Sequence, residues 1–228
     1  MKMKNLKHLA MLLVGFMATV ISFSSCISDG DDYSIDETTQ KGYMKTMTGM
    51  YNGKVRMYYV SNSPMNYQGI VKYDSLNTTW SVRQDSTLTL YDFPVNKLDS
   101  AIIISKNAGN AETQDLRALQ EAISKIKTPA NIQCYYYVPT SNFVNSQIIQ
   151  YYVNPVYFKQ TLTYNGKTHD VYFVFRTNYY GGAFTISSRQ FEFNMFLQSI
   201  SIDKVPVDYS NSIPSTYFRG LLITCNNK

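Results

Sequence analysis

Apolar and polar residues alternate in short runs along most of this chain. Val55, Met57 and Tyr59 alternate with Arg56 and Tyr58; Leu88 and Leu90 alternate with Thr87 and Thr89; Phe191, Phe193 and Met195 alternate with Gln190, Glu192 and Asn194. A period of two places one set of side chains against a core and the other toward solvent, so these runs predict half-buried β-strands. Further strands are expected at 132–138 and 221–225. Residues 171–175 are apolar at every position, which predicts an internal strand covered on both faces.

The tetrapeptide Tyr164-Asn165-Gly166-Lys167 places Asn-Gly between two such runs, a strong short-range signal for a two-residue hairpin. Strands at 158–164 and 168–176 should therefore pair. The same four letters occur at Tyr51-Asn52-Gly53-Lys54, and each copy precedes an alternating run. One stretch has helical spacing instead. Leu116, Leu119, Ile123 and Ile126 share a face, Glu112 and Asp115 lie near its start, Lys125 and Lys127 near its end, and Pro129 follows, predicting an amphipathic helix over about 112–126. A shorter helix is expected at 96–104, after Phe93-Pro94. The fold class is mainly β: an antiparallel sandwich or a calycin-like barrel with one amphipathic helix. Residues 41–228 are long enough to form a single domain with a substantial core.

The first forty residues have a different character. Lys2, Lys4 and Lys7 precede an apolar segment at 9–23 that is short for a membrane span, followed by Ser24-Ser25-Cys26. This resembles a bacterial lipoprotein signal peptide over residues 1–25, and the resemblance implies that Cys26 carries the lipid and becomes the first mature residue. Phe23 stands where that family usually has Leu. Several acyl chains hold a protein on a bilayer durably, because each buried CH₂ adds about 0.8 kcal/mol. The partner implied is thus a membrane, reached through the lipid. Residues 26–40 are polar, carry Asp29, Asp31, Asp32, Asp36 and Glu37, and lack apolar periodicity, so they are expected to form an acidic disordered tether. The acidic cluster after Cys26 resembles the signal that sends some Gram-negative lipoproteins to the outer face of the outer membrane. The cell surface is the expected location, with the periplasmic face as the alternative.

This leader also changes the charge balance. The whole chain carries 21 basic and 16 acidic residues. Without Lys2, Lys4 and Lys7 the count is 18 against 16, and residues 41–228 alone carry 18 against 11. The surplus is dispersed, with no Lys/Arg cluster of the kind that marks nucleic-acid binding. Cys134 and Cys225 remain after Cys26 and form a candidate disulfide in an oxidising compartment, the alternative being two buried thiols.

Gly49-Met50-Tyr51-Asn52-Gly53-Lys54, the downstream Trp80, the Phe93-Pro94 step and the leader together resemble domain-of-unknown-function family 4840, uncharacterised lipoproteins of gut Gram-negative bacteria. The resemblance implies no catalytic or binding residues. The Gly-x-Tyr-x-Gly entry is also similar to calycin-type barrels.

Several chemistries lack their residues. His8 lies in the leader, leaving His169 as the one histidine of the mature chain, which disfavours multi-histidine metal sites and nucleophile-histidine hydrolases. His169 sits near the Asn-Gly turn and reads as structural. There is no Gly-rich phosphate loop, Cys-x-x-Cys pair or His-Glu-x-x-His stretch. No catalytic residue, metal or cofactor is expected. An Asp/Glu glycoside hydrolase is the residual enzyme class, since Asp92, Asp99, Asp115, Asp170, Glu192, Asp203 and Asp208 are available, but no pair stands out. Asp74-Ser75-Leu76, Asp85-Ser86-Thr87 and Asp99-Ser100-Ala101 resemble an O-glycan acceptor used by some gut Gram-negatives, and also read as ordinary turns.

Tyrosine is the unusual component, with twenty residues and runs at 58–59, 135–137, 151–152 and 179–180. Neighbours on a strand point to opposite faces, so each run should direct a phenol outward. Tyr135, Tyr137, Tyr179 and Tyr180 are the candidate ligand-binding residues. An aromatic ring stacks on a sugar while its hydroxyl hydrogen-bonds, although tyrosine is also simply a good strand residue. The expected function is a surface-exposed envelope lipoprotein that binds glycan or another envelope ligand. An accessory of an envelope protein complex is the alternative.

Overall fold

The computed structural model describes residues 34–59, 71–104, 109–140, 147–176, 181–203 and 217–227. Ten strands are described: β1 (Gly49–Tyr59), β2 (Val71–Val82), β3 (Thr87–Phe93), β4 (Ala130–Tyr137), β5 (Ile148–Pro155), β6 (Phe158–Tyr164), β7 (Lys167–Phe175), β8 (Gly181–Thr185), β9 (Gln190–Ile202) and β10 (Leu221–Asn226). Their pairing runs β10-β1-β2-β3-β4-β5-β8-β9, and β9 pairs back to β10, so eight strands close an antiparallel barrel. Of the two expected architectures, the barrel is the one formed. The long β9 leaves the ring at its C-terminal half, where Val171–Phe175 of β7 pair with it and β6 pairs outside β7.

Alternation decides what fills the barrel. Val55, Met57, Leu88, Leu90, Ile132, Cys134, Tyr136, Phe191, Phe193 and Met195 are all buried, while their strand neighbours, Tyr58 apart, are half-buried or exposed. At one end, Tyr51 stacks on Trp80 (6.1 Å between ring centres) and leans on Phe191 (4.9 Å), and Phe193 meets Trp80 edge-on (5.5 Å). Such tilted and edge-on contacts match the quadrupoles of the rings and fill this end of the lumen.

The expected inward position of Tyr59 is corrected. Register shifts between β1 and β2 on either side of Met57 form a bulge, which reverses the parity of the last residues: Tyr58 is buried and Tyr59 half-buried. The two Tyr-Asn-Gly-Lys copies also part company. At 165–166 the backbone enters the left-handed region, with φ of 49° at Asn165 and 71° at Gly166, and closes the β6–β7 hairpin with Tyr164 opposite Lys167. Gly53, by contrast, lies within β1. A Cβ there would stand 2.2 Å from the Asn226 carbonyl oxygen and 2.5 Å from the Trp80 ring, so glycine is required by close approach rather than by a turn.

Val171, Phe173 and Phe175 of β7 are buried, but Tyr172 and Val174 are half-buried, so this internal strand is fully covered on one face only.

The chain orders earlier than the expected tether boundary at residue 40. Helix α1 (Glu37–Met47) begins inside that segment, with the Asp36 carboxylate accepting from the Thr39 N–H at 2.6 Å. This cap, the buried side chains of Ile35 and Met47, and a 2.7 Å hydrogen bond from the Ile35 N–H to the Thr140 carbonyl outweigh the polar composition. Residues 26–33 lie outside the described residues. Arg189 ties α1 to the barrel end: its guanidinium donates to the Thr46 and Thr48 carbonyls (3.3 and 3.1 Å) and the Tyr51 hydroxyl (2.9 Å), and lies over the Tyr51 and Phe184 rings.

The expected second helix is α2 (Ala111–Ser124), capped by the Asn110 side chain and buried through Leu116, Leu119 and Ile123. It packs on β6 and on a 3-10 helix (Val95–Ala101), the shorter helix expected here. Gln120 donates to the Asp99 and Ile102 carbonyls and joins the two.

Replacing Gly53 by Ala forces β10 or Trp80 to move. Gly53→Ala is expected to destabilise the fold by about 1–3 kcal/mol, read as a lower urea midpoint, whereas Gly42→Ala, with open space around it, should leave the midpoint unchanged or raised.

Candidate functional site

The tyrosine runs on β4 and β5 split between the two sides of the barrel wall. Tyr136 and Tyr151 point inward, almost fully buried, and meet edge-on at 6.3 Å. Each hydroxyl is secured: Tyr136 donates to the Arg83 carbonyl and Tyr151 to the Glu192 carbonyl, both at 2.7 Å. Their neighbours Tyr135, Tyr137 and Tyr152 point outward with 52, 41 and 36 % of their surfaces exposed. The register sets Tyr137 opposite Tyr152 and Tyr135 opposite Asn154. The rings of Tyr137 and Tyr152 lie 5.2 Å apart and 21° from parallel.

Tyr152 also faces Gly181 of β8. Gly181 has no side chain to set against the Tyr152 ring, where a Cβ would stand at 4.0 Å. Two aromatic rings are thereby stacked on one another on the outer wall, anchored by strands whose inner tyrosines are fixed by packing and hydrogen bonds. An arrangement of this kind can stack on a flat, partly apolar ligand with little loss of side-chain freedom.

The side chains around this platform are mostly amides and hydroxyls, with the exposed Arg83–Asp85 ion pair in the β2–β3 turn and exposed Asp92 near the end of β3. Outward positions are Asn77, Thr79 and Ser81 on β2; Thr87, Thr89 and Tyr91 on β3; and Asn131 and Gln133 on β4. On β5 they are Ile148, Gln150 and Asn154, and on β8 Gly181, Ala183 and Thr185. Further charges stand on the neighbouring strands, with Lys54 and Arg56 on β1 and Glu192 on β9.

Of the sequence-predicted ligand residues, Tyr135 and Tyr137 are on this face, while Tyr179 and Tyr180 lie outside the described residues. Cys26 lies outside them as well. Tyr152 was not singled out by sequence; its signal was the 151–152 run, but its partnership with Tyr137 depends on register. The candidate disulfide does not form: Cys134 and Cys225 are free, buried thiols. Strands β4 and β10 stand four apart in a ring of eight, so the two cysteines project from opposite walls. The Cys134 sulfur lies 3.9 Å from that of Met195, and burial pushes both thiols well up, making them poor nucleophiles.

His169 is a structural clamp. Its Nδ1 is hydrogen-bonded to the Asp203 carboxylate, whose other oxygen accepts from the Asp170 N–H at 2.8 Å, and its ring stacks on Tyr164 at 4.4 Å. Asp170 pairs with Lys159 and Thr161, both at 2.9 Å, and Asp115 accepts from Asn165 at 2.6 Å. Two open clefts of about 410 and 440 Å³ flank Asp92, which has φ of 52°. The first runs along the end of α2 and the second between Asn52 and Asn77; in each, Asp92 is the only carboxylate in the lining, so neither holds the carboxylate pair that glycoside hydrolysis uses. Asp208 lies outside the described residues. Among the described residues no three His, Cys, Asp or Glu side chains group as metal ligands. In the Asp-Ser motifs, Ser100 is buried and donates to the Lys97 carbonyl.

Residues 46–202 match the model of a protein family described as a domain of unknown function, DUF4840. The chain belongs to the DUF4840 family. The DUF4840 stretch takes in β1 to β9, with the tyrosine platform, the Trp80 cluster and Asp92, while the closing strand β10 lies past its end. Neither a curated protein nor a solved structure matches the chain.

The inner tyrosines give the site's support a pH limit. Burial is the main cause that pushes the Tyr136 phenol up to about 12, helped by the Asp85 charge, and burial likewise raises Tyr164 to about 12 and Tyr151 well above its ordinary value. A phenol with a folded pKa above its unfolded value near 10 contributes stability that is complete below about pH 10 and disappears as pH rises toward 12. Urea midpoints should therefore fall steeply between about pH 10 and 12, and Tyr136→Phe should flatten that fall.

Proposed function

We propose that this DUF4840 protein is a cell-envelope lipoprotein, anchored through Cys26, that presents its barrel at the outer face of the outer membrane and binds glycan on the barrel's outer wall. The observation that carries the reading is the pair of parallel, exposed rings of Tyr137 and Tyr152, with Tyr135 beside them, among amide and hydroxyl side chains. Sugar rings have apolar C–H faces that stack on aromatics and hydroxyl rims that pair with Asn, Gln and Thr. A lumen filled by Tyr51, Trp80, Phe191 and Phe193 favours the wall over the interior as the binding surface. The leader sequence supports the location, and a lipid anchor leaves the barrel wall free to face outward.

Both halves of the proposal are measurable. The full-length chain, extracted in neutral detergent, should bind a subset of a glycan array. Tyr137→Ala and Tyr152→Ala should each weaken binding roughly tenfold while leaving the melting temperature within a few degrees, because both rings lie outside the core. Binding that survives the double substitution would overturn the platform. Cys26→Ser should abolish incorporation of labelled fatty acid and release the protein from the membrane fraction.

A further inference from the structure

Asp92 holds a backbone conformation that its side chain does nothing to support. The β3–β4 register shifts between Leu90 and Phe93, so Tyr91 and Asp92 together oppose Asn131, and this bulge leaves Asp92 at φ of 52°. A residue with a Cβ is disfavoured in that left-handed region. The Asn131 side chain accepts from the Asp92 N–H at 3.3 Å, but the carboxylate is exposed and, among the described residues, has no hydrogen bond or ion pair. An acid is thus held out at a strained position where glycine or asparagine would serve the backbone better, a pattern that accompanies function more often than stability.

The groups facing the two clefts beside Asp92 are uncommitted as well. In the cleft of about 440 Å³, Lys54 and Asn77 make no hydrogen bond or ion pair among the described residues, and Asn52 engages only its carbonyl oxygen, which accepts from the Thr79 hydroxyl at 2.9 Å. Asn227 in the same lining differs, because its amide is held at both ends, by the Phe191 N–H and the Arg189 carbonyl. The cleft of about 410 Å³ adds Lys127 and Asn96 on the other side of Asp92. One acceptor carboxylate therefore stands among ammonium and amide donors. A hydroxyl group both donates and accepts, so adjacent hydroxyls can donate to Asp92 while accepting from Lys54 or Asn77. A ligand ammonium would face Lys54 and Lys127, a phosphate would face Asp92, and like-charge juxtaposition counts against each.

We propose that Asp92 and the cleft between Asn52 and Asn77 form a second binding site, one that holds the vicinal hydroxyls of a small saccharide. Thr87, opposite Tyr135, precedes Asp92 by five residues on β3, so at about 3.4 Å per residue the site lies roughly 17 Å along the wall from the tyrosine platform. It does not depend on that platform.

Saturation-transfer difference NMR on the full-length chain in a sugar-free neutral detergent tests this, with methyl glucoside, methyl galactoside, methyl mannoside, xylose and lactose as probes. Transfer to at least one sugar is expected, with a dissociation constant on the order of 1–10 mM, too weak to survive the washing of an array. Asp92→Asn keeps the side-chain size and suits the left-handed backbone, so it should weaken that sugar roughly tenfold while leaving the melting temperature unchanged or raised. Asn77→Ala, at an exposed position, should weaken it several-fold, and the Tyr137→Ala/Tyr152→Ala pair should alter it by less than about twofold. Glycine or inorganic phosphate at the same concentration should not displace the sugar. Displacement by either would assign the cleft to a charged ligand and overturn the inference. Transfer lost in the tyrosine variant but kept in Asp92→Asn would put the sugar on the platform, overturning this site and leaving the glycan reading intact. Transfer to none of the sugars, with the melting transition intact, would also overturn it.

Discussion

An eight-stranded barrel encloses a space that side chains must fill or a ligand must occupy, and here aromatic rings fill it. The Tyr51, Trp80, Phe191 and Phe193 cluster occupies one end, and Tyr136 and Tyr151 extend the packing along the wall. Much else follows from that. Glycine is required at 53 because Trp80 lies beneath it, and Arg189 closes the end over Tyr51, which in turn fixes α1. With the lumen filled, the exposed aromatic rings are on the wall, where the same strands that bury one tyrosine present the next.

Much of this was legible in one dimension. Alternation located β3, β4 and β9, the Asn165-Gly166 turn fixed the β6–β7 hairpin, and the 3.6-residue spacing of Leu116, Leu119 and Ile123 located α2, because each signal is local and set by backbone geometry. The errors have non-local causes. A bulge inverted Tyr58 and Tyr59, a property of the β1–β2 pairing rather than of either residue. The start of α1, residues 37–40, reads as tether because it is polar; what holds it is the buried Met47 at the helix's far end, Ile35 just before it and the Arg189 contacts from far along the chain. Barrel and sandwich were indistinguishable because closure lies in the β9–β10 pairing.

The site was legible by half. Outward tyrosines follow from period two, so Tyr135 and Tyr137 were within reach of sequence reasoning. That Tyr137 meets Tyr152 and that Gly181 stands opposite Tyr152 both depend on strand order. Strand order is a global property, since β5 neighbours β8 with a hairpin intervening between them. The two cysteines illustrate the same limit from the other side, as an even count carries no information about which wall each strand occupies.

The closing position of β10 has a kinetic consequence. Until residues 221–226 arrive, β1 and β9 are two bare edges, each with a row of unpaired amides and carbonyls, on a sheet that cannot yet curl shut. The stave that seals the ring meets β1 only after more than 150 intervening residues have been made, so assembly waits on a contact of very long sequence separation, the kind that slows folding most. A chain with this wiring stays open during synthesis, a state compatible with threading through a translocation pore, and its bare edges need shielding from one another until the last stave is in hand.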